Sequence, residues 1–198
     1  VSGERAEWTI DTLLTHPVKR WKILASKYTA SVLYISLLVV AIGIICYAVS
    51  GLNLGYGGWH EPVLTGFRAD GNDLDVAHVR AVPLWQYNLM VYGLGWFVAV
   101  IIGTIAFMVS VLTRHTAVGI GVMMALIISG SLLHSIAASW TSAKYFAMIH
   151  LKLTDYLTGQ PPPIPGMTLP FSITVLSGWA FAALIVSFIV FTRQDVLT

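Results

Sequence analysis

Charge is what this chain has least of. Lys, Arg, Asp and Glu make up 10% of its 198 residues, whereas soluble domains carry roughly 25%. A shortage that deep, with long uncharged runs, excludes an ordinary soluble globule and places the chain among integral membrane proteins. The net charge of +2 is too small for an electrostatic nucleic-acid surface, so no nucleic acid is expected as a partner. Cysteine is almost absent. The single Cys46 sits in an apolar run, which excludes a disulfide framework and a thiolate metal cluster. No G-x-x-x-x-G-K-S/T phosphate loop occurs, so ATP is not bound here by that device. There is no G-x-S-x-G elbow and no carboxylate pair within the apolar runs. His60-Glu61 begins an H-E-x-x-H helix, but Leu64 stands where the second histidine belongs and Pro62 opposes the helix. His60, His78 and His150 follow no metal-ligand spacing. No catalytic residue, no metal and no cofactor bound by the chain itself are expected.

What is present are four apolar segments, each long enough to cross the roughly 30 Å hydrocarbon core as a helix. They are residues 28–51, 85–112, 116–137 and 171–191. The expected fold class is all-α: a polytopic transmembrane helical protein forming one domain over 1–198. The Lys and Arg residues divide unevenly between the two ends of these spans. Arg5, Lys19, Arg20, Lys22, Lys27, Arg114 and Arg193 fall at one end, and Arg68, Arg80, Lys144 and Lys152 at the other. The richer end is read as cytoplasmic. Residues 52–84 and 138–170 then form extracytoplasmic connections. The first, rich in Gly, Asp and Asn, reads as an irregular loop. In the second, Phe146, Ile149, Leu153 and Tyr156 recur at helical spacing, which suggests an amphipathic helix in the interface. The prolines of "TGQPPPIPGMTLP" then return the chain to the last span.

Residues 1–27 are the most polar stretch. As a helix, residues 4–15 place Glu4, Glu7 and Asp11 on one stripe and Ala6, Ile10, Leu13 and Leu14 on another. Acids toward the N-terminus suit the helix dipole. His16, before a proline, is turned away from helix, and Pro17 can open a second helix whose Lys19, Arg20, Lys22 and Lys27 meet headgroup phosphates. An interfacial anchor accounts for the amphipathic pattern. It accounts less well for the acidic stripe, because anionic headgroups repel carboxylates; a protein partner suits that stripe better.

These same residues carry a family likeness. "SGERAEWTIDTLLTHPVKRWKILASK" resembles the signature of type-2 ABC transporter permeases through Glu4 or Glu7, Thr9, Ile10, Leu13, Leu14, Pro17, Val18, Arg20 and Lys27. Trp8 stands where that family often has glycine. The short basic turn "LTRHT" and the ending "FTRQDV" are similar too. The resemblance implies that residues 1–27 include a coupling helix docking on a separate ATP-binding subunit, with ATP and Mg held by that subunit. It implies a second permease subunit, as homodimer or heterodimer, a bacterial cell membrane, and export of a substrate. Glu4, Glu7, Thr9, Asp11, Leu13, Leu14, Pro17 and Arg20 would carry the docking. Such permeases have six spans, so the four seen here would be the last four.

Within the spans, His134 in "ISGSLLHSIAAS" is the one well-inserted ionisable group. An intramembrane ionisable group is costly and often functional. His134, Ser131 and Ser135 are therefore candidates for a pathway, with Ser131 and Ser135 equally suited to close helix packing beside Gly119, Gly121 and Gly130. A non-transporting membrane scaffold that recruits a cytosolic partner is the rival reading of the chain as a whole.

Overall fold

The fold is given by a computed structural model that describes residues 20–66, 68–70, 73–75, 79–113, 115–136, 141–160, 162, 164 and 166–193. It is mostly helical. Four long helices dominate: α1 (Arg20–Leu54), α2 (Leu84–Leu112), α3 (Thr116–Ile136) and α5 (Leu169–Arg193). Each is long and apolar enough to cross a membrane, so the chain is a multi-pass membrane protein. At 1.5 Å per residue, α1 extends about 52 Å, several turns beyond the hydrocarbon core.

α2 is the central helix and packs against α1, α3 and α5. Its buried stripe of Ile101, Thr104, Ile105, Phe107, Val109 and Val111 follows helical spacing. Ile101 and Ile105 meet Leu176 and Ala183 of α5, together with Ala147 and Leu153 from the connection between α3 and α5. Most of α1 remains outside this core. Leu33, Leu37, Val40, Ile44 and Ile45 are all exposed, as suits a helix in lipid.

Three sequence expectations need correction. Residues 20–27 do not form a separate surface helix; they are the first turns of α1, continuous with the span. No proline or glycine between Arg20 and Gly43 interrupts the helical ladder. The first connection is not wholly irregular. β1 (Pro62–Thr65) pairs antiparallel with β4 (Arg80–Pro83), in the register Pro62 to Pro83 and Thr65 to Arg80. Nested between them, β2 (Arg68–Asp70) pairs with β3 (Asp73–Asp75), setting Arg68 opposite Asp75. The fold is therefore not purely α. Prolines at the base end the ladder, since neither can donate to it.

The second connection also differs from expectation. In place of one interfacial helix there are two 3-10 turns, Thr141–Tyr145 and Ala147–His150, and a single helical turn, α4 (Asp155–Thr158). Gly159 closes α4 in the left-handed region at φ 76°. Ile149 and Leu153 face protein, not lipid; Ile149 joins Ala143, Ile164 and Met167 in a small core of its own. Phe146 of the expected stripe stays 45% exposed, so Ile149 and Leu153 carry the packing on the bundle.

Candidate functional site

Two polar constellations lie at opposite ends of the bundle. The first is at the basic end, where the opening segment enters α1. Leu24 in the second turn of α1 is wholly buried against Phe107 and Val111 of α2 and Phe191 of α5, with Tyr28 and Phe188 alongside. The Tyr28 ring meets Phe107 edge-on at 5.5 Å between centroids. Its hydroxyl lies 3.1 Å from Thr104 Oγ1, which donates to the Val100 carbonyl at 2.7 Å. With Thr104 donating to Val100, Tyr28 is the donor to Thr104. The start of α1 is thus gripped by the ends of α2 and α5. Trp21 and Lys22 remain exposed, the Lys22 ammonium 5.9 Å from the Trp21 ring.

The second constellation centres on His150, only 2% exposed. Its Nε2 lies 2.7 Å from the Lys144 carbonyl, and its Nδ1 lies 2.8 Å from Ser172 Oγ on α5. Tyr156 Oη lies 2.9 Å from the same Oγ. A carbonyl can only accept, so Nε2 carries the proton. In the neutral ring Nδ1 then accepts from Ser172, and Ser172 accepts from Tyr156. Every proton in this chain has one place to go. Burial pushes the His150 pKa below its ordinary value, and the Lys144 carbonyl opposes that in part. Trp179 Nε1 donates to the Tyr145 carbonyl at 2.9 Å, a further tie from α5. Ser172 and His150 are both buried, and among the described residues no carboxylate orients the ring. The arrangement fastens the connection to α5 rather than presenting a nucleophile.

The residues singled out by sequence fare differently. Glu4, Glu7, Thr9, Asp11, Leu13, Leu14 and Pro17 lie outside the described residues. Arg20 opens α1. His134 and Ser135 fall in the last turn of α3. Ser131 is exposed and donates to its own helix at the Ile128 carbonyl, 2.8 Å away. Gly130 does serve close approach: a Cβ there would stand 2.5 Å from Met148 Cβ. His78 lies outside the described residues, and the described residues hold no group of three His, Cys, Asp or Glu side chains able to take a metal. The hydrogen bonds of Tyr156 to Ser172 and of Tyr28 to Thr104 were not anticipated. A signal for His150 existed, because it lies four residues after Phe146 and three before Leu153, on the apolar stripe itself.

Comparison with known proteins decides the family. The model of a family described as "Protein of unknown function (DUF2705)" matches residues 1–197. The chain belongs to the DUF2705 family. The resemblance to type-2 ABC transporter permeases is corrected by this match, which covers nearly the whole chain, while the sharp part of that likeness was about 25 residues and the remainder architectural. An amphipathic lead, a basic turn and apolar spans recur in unrelated membrane proteins for the physical reasons given above, so that pattern is less specific than it looks. Among relatives of this DUF2705 chain is "Uncharacterized protein YhcI" of Bacillus subtilis (strain 168), 29% identical over 197 residues, which are 99% of this chain and 61% of the relative. "Uncharacterized membrane protein YdbK" of the same organism is 28% identical over 200 residues, 99% of this chain and 73% of the relative. The chain thus spans about three fifths of YhcI. No solved structure matches it significantly.

Proposed function

We propose that this chain is the transmembrane subunit of an ATP-driven transporter, exporting a substrate across a bacterial cell membrane while a separate subunit binds ATP and Mg. The observation that carries this reading is the grip on the start of α1. Leu24 is locked between Phe107, Val111 and Phe191, so a force applied to the segment before Arg20 passes directly into α1, α2 and α5. A plain surface anchor has no need of that linkage. A helical spacing of residues 4–14 would align Glu4, Glu7 and Asp11 beside an apolar stripe, a docking face of suitable chemistry, and ATP held by a separate partner agrees with a sequence that carries no phosphate-loop motif. The exposed apolar length of α1 suits lipid or a second membrane subunit.

A photo-crosslinking side chain at Glu7 tests the docking in cells. The expected product is a covalent adduct with a polypeptide that contains a phosphate loop, identified by mass spectrometry. Adducts with lipid alone would make the segment an anchor. Adducts with a protein lacking nucleotide-binding motifs would favour the scaffold.

A further inference from the structure

At the end of α1 opposite the basic end, three aromatic rings are gathered by an unusual loop. Tyr47 lies in the last turns of α1. One turn later comes Gly51, and the Tyr56 ring occupies the space that a Cβ there would need. Gly55 and Gly58, with φ of 85° and 88°, lie in the left-handed region that glycine enters without steric cost. These turns bring the Trp59 ring to 5.0 Å from Tyr47, and Tyr56 to 5.5 Å, at tilts of 57° and 61°. The far side of the loop is pinned to α2: Trp85 N–H donates to the Trp59 carbonyl at 3.2 Å and Leu84 N–H to the Glu61 carbonyl at 3.0 Å.

We propose that Tyr47, Tyr56 and Trp59, with the Glu61 carboxylate beside them, form a binding site for an organic ammonium cation. The rings are held against one another yet remain 44%, 54% and 42% exposed. That exposed surface leaves the rings open to a ligand at this end of α1. Tyr47 meets both neighbours at steep tilts while each ring keeps exposed surface, and aromatic faces attract alkylated ammonium groups. Glu61 adds a full negative charge; its Cδ lies 3.3 Å from where a Gly58 Cβ would stand, one residue from Trp59. No Lys or Arg occurs between Lys27 and Arg68 to oppose a cation from this stretch. The ammonium could come from a lipid headgroup or from a free solute. The site does not depend on the transport reading.

Equilibrium dialysis of radiolabelled tetramethylammonium against the purified full chain in maltoside detergent, at about pH 8 where histidines are ordinarily neutral, tests it. The parent should bind saturably, and equal sodium should not displace the probe. Tyr47→Leu and Trp59→Leu should each weaken binding by about threefold to thirtyfold. Tyr47→Phe should retain it, Glu61→Gln should weaken it, and Tyr34→Leu should leave it unchanged. In bilayer discs, loss of binding in phosphatidylcholine but not phosphatidylglycerol identifies the headgroup as occupant. Equal binding in both identifies a free solute. A parent that shows no saturable binding overturns the proposal. So does binding that Trp59→Leu leaves intact or, should the leucine variants not fold, binding that Glu61→Gln leaves intact.

Discussion

His150 takes its role from a partner distant in sequence. Sequence spacing placed it on the apolar stripe of the second connection, yet a histidine in a loop with no ligand pattern reads as a solvated polar group. What decides its role is Ser172, 22 positions away on α5, and no local pattern reports that contact. The proton arrangement gives the site a pH dependence. Adding a proton puts a donor at Nδ1, where Ser172 already donates, and burial disfavours the charge, so the folded ring holds a proton less tightly than the unfolded one. The contribution is therefore fully present above the ordinary histidine value of about 6.5. It is lost as pH falls through that value toward the lower folded one. Thermal unfolding in detergent, followed between about pH 8 and pH 5, should show the parent losing stability on acidification more steeply than His150→Gln. Equal slopes would mean that His150 is not the titrating group. Ser172→Ala leaves Nδ1 without its donor and should destabilise by about 1–3 kcal/mol at neutral pH.

Elements with a strong period were legible; those fixed by partners were not. The four long helices appear within a few residues of where hydropathy puts them, except that α1 starts earlier, at Arg20. Its basic first turns looked like a surface helix because charge obscured their continuity with the span. The β2–β3 pair was missed although Gly71-Asn72 is a hairpin dipeptide, because strands of three residues carry almost no periodicity. The broken second connection follows from packing: Met148 lies against Gly130 of α3, and a bundle surface with that relief suits short turns better than one straight helix. Gly130→Ala should therefore cost about 1–3 kcal/mol of stability through overpacking. Gly121→Ala, with nothing within 4 Å of the added methyl, should stay within about 0.5 kcal/mol. Comparable losses at both positions would remove the argument for close approach at Gly130.

At the scale of the molecule, a scarcity of charge and four long apolar helices were enough to recognise a multi-pass membrane protein, because the bilayer constrains length and composition so strictly. The family was not legible in the same way, since amphipathic leads and basic turns recur for general reasons. The Lys and Arg distribution predicts the sidedness. Single cysteines at Asp73 or Lys152 should be labelled by an impermeant maleimide on intact cells, and those at Lys22 or Arg114 should not; the reverse would put the opening segment outside and end the docking reading. The proposed function requires this segment to hold a cytosolic ATPase through its acidic side chains. The most direct test is the ATP hydrolysis that co-purifies with the detergent-extracted chain, compared between the parent and Glu7→Lys/Asp11→Lys. Charge-assisted contacts are worth about 1.5–3 kcal/mol each, so the double variant should retain about a tenth or less of the parent's activity while inserting normally. Undiminished activity on the variant, or none on the parent, would contradict the account.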